Sequence, residues 1–405
     1  MSFLLDTANR GARESSHVDP NAAKRLVPAM AVASGLAVAN IYYNQPMLAD
    51  MARTFGVEAH SAGLVATFTQ IGYAAGMPLF IPLGDIVERR RLVVGLFAAS
   101  AIALALAASA PTLPLLVAAS FLTGLTTVIA QVMIPLASEL TPPAEQGRTL
   151  GRILSGVLLG ILLARTVSGV VSRFLGWRAM FWIAAGVAVA AGVAMRVVLP
   201  RVPPKAPPRY RDLMRSLAGI VRESPKLRQV SLTAALMFAA FSAFWTTLVF
   251  RLETPPFHYG SDVAGLFGLV GAIGAAVAPF AGRLADRRSP RFVAANTIGI
   301  VFAAFLVFGL LGDRLWGLVI GVILLDAGIQ GAQVANQSRV LRLRAHSRSR
   351  VNTVFMIYYF GGGSLGSLLG SQAWARWGWT GVSVAGLALM AAAAAVLAAR
   401  GPSEE

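Results

Sequence analysis

The sequence contains no cysteine, so disulfide bonds, thiolate metal ligands and cysteine nucleophiles are excluded. Charge is also scarce, since Asp, Glu, Lys and Arg make up 13% of the chain, against about 25% in an ordinary soluble domain. Hydrophobic residues make up 56% of the 405 residues. A soluble fold of this length could not bury so much apolar surface, and lipid is therefore the expected solvent for most of the chain.

Motifs for metals and nucleotides are missing as well. The four histidines lie in tails or turns and do not have the spacing of metal ligands. No glycine-rich loop ends in Lys-Ser or Lys-Thr, which argues against an ATP-driven mechanism. We therefore expect neither a metal site nor a cofactor.

Long apolar runs are what the chain does have. A helix needs about 20 mainly apolar residues to cross a bilayer, and twelve runs approach this length: 26–48, 60–83, 92–110, 113–138, 150–172, 178–199, 229–250, 262–281, 292–311, 315–338, 352–371 and 379–399. We expect a tail at 1–25 without a cleavable signal peptide, a six-helix bundle at 26–199, a second bundle at 229–399 and a tail at 400–405. The Pro-rich, basic stretch 200–228 reads as a linker with a surface helix near 209–222.

Basic residues predict the orientation in the membrane. Lys and Arg number 35 against 18 Asp and Glu, a net charge of +17. With the N-terminus inside, the outer loops hold only Arg53, Arg173, Arg178, Arg251, Arg314 and Arg376. The positive-inside rule then places both termini in the cytoplasm. Because orientation explains the charge, we expect no nucleic-acid partner.

The runs repeat in character every three. Runs 3, 6, 9 and 12 are the most uniformly apolar, runs 2, 5, 8 and 11 carry closely spaced glycines, and runs 1, 4, 7 and 10 carry polar groups. Small residues three or four apart let helices approach closely. The expected fold is an all-α membrane protein with twelve transmembrane helices in two pseudo-symmetric six-helix bundles, with an aqueous cavity between them.

A short charged turn occurs twice, after run 2 at 84–91 and after run 8 at 282–288, which indicates internal duplication. It resembles the G-x-L-A-D-R-x-G-R-R pattern of the major facilitator superfamily, which the second copy matches at Gly282, Leu284, Ala285, Asp286 and Arg287. The stretch 40–46, Asn-Ile-Tyr-Tyr-Asn-Gln-Pro, resembles the first helix of a bacterial branch grouped with sugar and drug exporters. Two exporter patterns, R-x-x-Q-G in run 4 and Gly-Pro in run 5, are absent.

The resemblance implies that the charged turns form a cytoplasmic gate of Gly84, Asp85, Glu88, Arg89, Gly282, Asp286 and Arg287. A carboxylate at the end of run 2 would meet the positive N-terminus of the helix that starts near Val351. The alternative is that the basic residues only anchor the topology, although orientation does not require the acids.

Two charges fall within runs. Asp326 lies near the middle of run 10, and Arg165 lies in the outer half of run 5. Each needs a partner or water, because a charge within the membrane is costly. One hypothesis is that Asp326 carries a proton whose binding responds to Arg165. The alternative is a static ion pair, or Arg165 satisfied by carbonyls and Asp326 by amides.

Polar and aromatic residues at helical spacing suggest a substrate cavity. They are Asn40, Tyr43, Asn44, Gln45, Thr127, Gln131, Trp245, Thr246, Gln330, Gln333, Tyr358 and Tyr359. The alternative is that these groups only join helices by hydrogen bonds. We expect a monomeric secondary transporter in the lipid bilayer that exports a small organic substrate against protons. Uptake is the alternative, and a membrane sensor or an intramembrane enzyme is less well supported.

Overall fold

The computed structural model describes residues 20–142, 145–201, 210–276, 289–343 and 348–399, and within these ranges it contains helices and no strand. The α-helices, in chain order, are α1 (Pro20–Ala39), α2 (Leu48–Phe55), α3 (Ala59–Phe80), α4 (Leu83–Ile86), α5 (Arg89–Ser109), α6 (Leu113–Thr126), α7 (Ile129–Leu140), α8 (Gln146–Leu175), α9 (Trp177–Val198), α10 (Tyr210–Glu223), α11 (Pro225–Glu253), α12 (Ser261–Ala275), α13 (Pro290–Leu311), α14 (Leu315–Leu343) and α15 (Arg348–Ala398). All twelve predicted runs overlap these helices. Among the described residues, eight helical spans are long and apolar enough to cross a membrane, and one of them, Leu113–Leu140, comprises α6 and α7.

The prediction of one unbroken helix over 26–48 is wrong. Helix α1 ends at Ala39, turns follow over 40–44, and a short 3₁₀-helix, Gln45–Met47, leads into α2. Pro46 contributes to the break because it has no N–H to donate to the preceding turn. Run 4 is also interrupted, at Thr127 and Val128 between α6 and α7, where the Thr127 hydroxyl donates to the carbonyl of Thr123, a side-chain bond that bends helices.

The last two runs lie on one continuous helical element, α15, which changes direction at Gly378. This residue has φ of 57° and ψ of −146°, a combination that glycine adopts far more readily than other residues. The helix therefore continues past 371, where the apolar run was expected to end, as far as the kink.

Equivalent helix pairs pack in the two halves of the chain. In the N-terminal half (20–201), α1 packs against α8, α3 against α6, and α5 against α9. In the C-terminal half (225–399), the corresponding pairs are α11 with α15, α12 with α14, and α13 with α15. Across the halves, α3 packs on α15 and α8 packs on α12. This repetition is the expected pseudo-symmetry of two six-helix bundles.

Glycines bring the paired helices into backbone contact. A Cβ added at Gly160 of α8 would lie 2.2 Å from the carbonyl oxygen of Gly35 in α1, and one at Gly366 of α15 would lie 1.9 Å from that of Ala239 in α11. Both distances are far below van der Waals contact, so only glycine permits these packings. The glycines of runs 5 and 11 therefore have the packing role that their spacing indicates.

Helix α10 follows the N-terminal half, close to the position of the predicted surface helix. Leu217 and Ile220 on one face are buried, and the Tyr210 hydroxyl lies 3.3 Å from the carbonyl oxygens of Pro78 and Leu79 at the end of α3. We call this end of the bundle the linker end, and the opposite end, where α2 and the end of α11 lie, the far end.

Candidate functional site

Arg165 lies at the centre of the contact between the halves. It projects from α8 and is 0% exposed. Its Nε donates to Oε1 of Gln45 at 2.8 Å. The guanidinium carbon lies 3.9 Å from the ring centre of Trp245, 4.8 Å from that of Tyr42 and 5.6 Å from that of Phe241. Two of these rings belong to α11, so the cation joins the two halves.

The environment of Arg165 satisfies only part of its charge. Among the described residues, Nη1 and Nη2 have no hydrogen-bond partner. The hydrogen bond to Gln45 and the ring contacts offset the cost of burying this cation, but they use none of the N–H groups of the two Nη atoms. The two Nη atoms are therefore the unsatisfied edge of this cation.

Asp326 lies on α14, beside the glycine-lined face of α12. It is 3% exposed, and its Oδ2 has no hydrogen-bond partner among the described residues. A Cβ at Gly271 would lie 3.1 Å from this oxygen, and one at Gly274 would lie 2.8 Å from the Asp326 Cβ. One turn away, a Cβ at Gly268 would lie 3.1 Å from the Cβ of Arg165. The lack of side chains on this face of α12 therefore leaves room for both Arg165 and Asp326.

Arg165 and Asp326 interact electrostatically without a hydrogen bond from the guanidinium to the carboxylate. The predicted alternative of an arginine satisfied by carbonyls is not what this conformation contains, whereas a static ion pair of Arg165 and Asp326 stays an open alternative. Arg165 is held by a side-chain amide and three rings instead. Two buried opposite charges that approach without bonding can respond to movement of the halves.

A polar face of α14 leads from Asp326 towards the linker end. Gln330 and Gln333 are partly exposed, and Oε1 of Gln333 has no partner among the described residues. Further along, Nε2 of Gln337 lies 3.4 Å from Oδ1 of Asn352 on α15. Tyr358, also on α15, is partly exposed. The predicted spacing on this helix is present, since α14 is continuous through 315–343.

The predicted polar residues near the end of run 1 do not form a helical stripe, because the chain is not α-helical at 40–47. Asn40, Tyr43, Asn44 and Gln45 are all buried. Nδ2 of Asn44 donates to Thr69 Oγ1 at 3.0 Å, and Gln45 binds Arg165. This segment therefore supports the charged centre, through a geometry that helical spacing does not describe.

Two other predicted cavity residues have their hydroxyls engaged in packing. Thr127 donates to the carbonyl of Thr123 at 2.5 Å, and Thr246 donates to Ser367 Oγ at 3.0 Å. Both side chains are fully buried. The bond of Thr246 matches the alternative interpretation, in which polar groups join helices, whereas the bond of Thr127 is local to its own segment.

The remaining predicted cavity residues lie among aromatic side chains. Nε2 of Gln131 lies 3.4 Å from the Tyr73 hydroxyl, and Tyr359 stacks on Phe238 with ring centres 4.0 Å apart. Trp245 covers Arg165, and its own indole N–H has no partner among the described residues. The structure thus brings Gln45, Trp245 and Arg165 together.

The first charged turn is held by Arg89. Its guanidinium binds the Glu139 carboxylate of α7 through two nitrogens, at 2.8 and 3.1 Å, and its Nε donates to the Gly84 carbonyl at 2.8 Å. Glu88 pairs with Arg91 at 2.9 Å. The side chain of Asp85 and the residues Gly282, Asp286 and Arg287 lie outside the described part of the structure.

The halves also meet at the far end. Arg53 of α2 bridges Asp50 and Glu253, the last residue of α11, and Ser172 of α8 donates to Asp50. In the middle of α3, Nε2 of Gln70 donates to Ser367 Oγ on α15 at 2.9 Å, a further bond between the halves.

Several of these residues were not among the sequence candidates. Tyr42 and Phe241 lack a polar pattern that would mark them, Arg53 is predicted only as an outer-loop charge, and no sequence pattern singles out Glu253. Glu139 could have been noticed, because it is an acid directly after run 4.

Comparison with known proteins agrees with this architecture. The family model of the Major Facilitator Superfamily matches residues 30–367. The uncharacterized transporter YgaY of Escherichia coli O157:H7 is 39% identical over 361 residues, covering 89% of this chain and 92% of that protein. The probable sugar efflux transporter of Helicobacter pylori (strain P12) is 25% identical over 339 residues, covering 80% of this chain and 82% of that protein.

Among solved structures, a crystal structure of the nucleoside transporter NupG aligns with a TM-score of 0.74 at 14% identity, covering 93% of this chain and 98% of that chain. At this identity the likeness shows the fold. Together with the paired bundles and their buried charged centre, the family match identifies a membrane transporter rather than an enzyme. This chain belongs to the major facilitator superfamily.

Proposed function

We propose that this transporter is driven by protons and exports a small organic compound by alternating access, as a monomer in the bacterial inner membrane with both termini in the cytoplasm. The observation that carries the proposal is the pair of buried charges, Asp326 and Arg165, which interact electrostatically without bonding. A proton-coupled transporter needs a buried group that gains and loses a proton as the halves move.

Asp326 is the proton carrier in this proposal. Burial favours the neutral carboxyl group, and a cation nearby favours the carboxylate. A movement of the halves that separates Asp326 from Arg165 would therefore load a proton, and a movement that brings them together would release it. Because Arg165 is on α8 and Asp326 is on α14, rotation of one half against the other changes their distance directly.

The arrangement of contacts supports access from the linker end. Described contacts between the halves occur at Arg53 and Glu253, along α8 and α12, and along α3 and α15. Along α3 and α15, Gln70 donates to Ser367 and the ring centres of Tyr73 and Phe360 lie 4.4 Å apart. Partly exposed polar residues lie on the linker side of Asp326. With the linker in the cytoplasm, as the basic residues predict, access from this end would make the conformation inward-facing. A compound from the cytoplasm would enter here, which is the first step of export.

Export is also supported by the relatives, since one of them carries the name of a sugar efflux transporter. Proton-linked uptake is the second candidate, and the unsatisfied edge of Arg165 favours it. An anion bound to that edge would add to the protonation of Asp326 instead of competing with it. The proton and the solute would then move in the same direction.

The experiment uses inverted membrane vesicles that contain a pH-sensitive dye, with a panel of organic compounds added outside. The added compound meets the cytoplasmic face. Export against protons makes the lumen more alkaline when a substrate is added, whereas co-transport makes it more acidic. A substrate that crosses with no pH change would contradict proton coupling.

Asp326→Asn tests the carrier directly. We expect this variant to lose the dye response in either direction, since an amide cannot bind the proton. Counterflow, the exchange of labelled for unlabelled substrate without a net proton, should continue. An undiminished dye response in Asp326→Asn would show that another group carries the proton.

A further inference from the structure

We propose that the transported compound carries a carboxylate, and that this group binds the Nη1 and Nη2 edge of Arg165. The inference rests on the proton-coupled transport proposed above, whatever its direction, and assigns the substrate class. It starts from a buried guanidinium that has one hydrogen bond, three ring contacts and two Nη atoms without a partner among the described residues.

The surroundings hold the guanidinium in one orientation. Gln45 fixes the Nε side, and the rings of Trp245, Tyr42 and Phe241 lie within 5.6 Å of the guanidinium carbon. The edge that remains presents N–H groups in a planar fork, which matches the two oxygens of a carboxylate. Three aromatic side chains beside this edge can contact an apolar or aromatic substrate body. The site therefore favours an organic carboxylate over a neutral sugar.

A second donor lies against the same cation. The indole N–H of Trp245 is buried and also has no partner among the described residues, and its ring is the one nearest to the guanidinium carbon. A bound anion is the kind of ligand that would satisfy donors on both residues. The groups of Arg165 and Trp245 that have no partner among the described residues are all donors, so a cationic ligand would leave them unsatisfied.

Asp326 links this site to the proton. Its carboxylate competes with a substrate carboxylate for Arg165, and protonation removes the competitor. The other groups that interact electrostatically with Asp326 are the phenols of Tyr42 and Tyr359, and the facing residues of α12 are glycines. Phenols and the guanidinium keep their protons at neutral pH, so Asp326 is the group whose charge changes. Substrate affinity should therefore rise as the pH falls, and the proton should accompany the anion.

The test measures equilibrium binding to the purified full-length protein by tryptophan fluorescence. The probes are formate, benzoate, indole-3-acetate and succinate, each with its carboxamide analogue, between about pH 6 and pH 8, where the carboxylates are largely ionised. We expect saturable binding of at least one carboxylate, about ten-fold or more tighter than its amide, and tighter at pH 6 than at pH 8. Failure of every carboxylate to bind, or equal binding of the amide, would overturn the proposal.

Variants of Arg165 distinguish the contribution of its planar guanidinium from the contribution of its positive charge. Arg165→Gln should abolish carboxylate binding, and Arg165→Lys, which keeps the charge and is the safer variant for folding, should weaken it about ten-fold. Trp245→Phe keeps a ring and removes the N–H, so it should weaken binding by a smaller factor. Asp326→Asn should bind the carboxylate tightly at both pH values. Unchanged binding in Arg165→Lys, or an unchanged pH dependence in Asp326→Asn, would contradict the assignment.

Binding and transport readouts keep the two proposals distinguishable. If a carboxylate binds as described but moves no protons in the vesicle assay, proton coupling fails and the anion site stands. If neutral or cationic compounds alone bind and drive proton movement, the anion site fails and the transport proposal stands. A carboxylate that acidifies the lumen of inverted vesicles supports the anion site and proton coupling, and it overturns export in favour of proton-linked uptake.

Discussion

At the residue scale, the buried charges of this protein differ in how completely they are satisfied. Arg89 has a carboxylate and a carbonyl as partners, whereas Arg165 has a side-chain amide and rings. The first arrangement is what a structural ion pair requires. The second leaves hydrogen-bonding capacity for a ligand or for a different conformation, and a transporter needs such capacity at its centre.

Glu139 and Glu88 should behave differently when replaced by glutamine. Glu139→Gln removes the charge that Arg89 binds, and because the Glu139 side chain is 35% exposed, we expect a loss of about 1 kcal/mol or less in stability. Thermal unfolding in detergent checks this change.

Glu88→Gln is the matched variant on the same surface. The partner of Glu88, Arg91, has a side chain that is 82% exposed, so stability should hardly change. Oε1 of Glu88 is buried with no partner among the described residues, which suits the predicted contact with the N-terminus of α15 in another conformation. We expect slower turnover at unchanged substrate affinity. An equal loss of both would argue against a gating role.

At the element scale, the close packing of α11 and α15 requires glycine on one side of α15. The Cβ positions of Gly362, Gly366 and Gly370 each fall within 3 Å of atoms in α11. The same helix carries Gly361, whose Cβ would meet nothing within 4 Å. Adjacent glycines on one helix therefore differ completely in what they contribute.

Gly366→Ala should lower stability by about 1–3 kcal/mol, because a methyl group overpacks a backbone contact. Gly361→Ala is the control, and it should be neutral or stabilising by up to about 1 kcal/mol, since alanine is the better helix former. Thermal unfolding of both variants in detergent gives the comparison. Similar stabilities would show that α11 and α15 can separate without cost.

At the scale of the whole molecule, the two halves must separate at the far end for alternating access. Arg53 of the N-terminal half and Glu253 of the C-terminal half meet at that end, and the Arg53 side chain is 59% exposed. A covalent link between these positions should hold the far end closed.

Because the sequence contains no native cysteine, a thiol reagent reacts only with the introduced cysteines. A variant with Arg53→Cys and Glu253→Cys, treated with a reducible bifunctional thiol reagent, should lose transport and regain it when the link is reduced. Each single variant treated with the same reagent serves as a control. Transport that continues in the linked protein would mean that the far end does not open.

The sequence by itself determined where most of the apolar helices lie and which charges fall among them, because these follow from hydropathy and from the cost of charge in lipid. Gln330 and Gln333 lie on one helix as their spacing predicts, since α14 is unbroken. Such features depend on the solvent and on residues that are close together along the chain, so a short stretch of sequence is enough to predict them.

The tertiary structure alone decided what surrounds the charges. The break at 40–44 and the rings around Arg165 were not readable from periodicity. The bond between Gln45 and Arg165 joins residues 120 positions apart, and the face of α12 beside Asp326 is set by packing between helices. Contacts of this kind depend on how the helices are placed against one another, which no local pattern specifies.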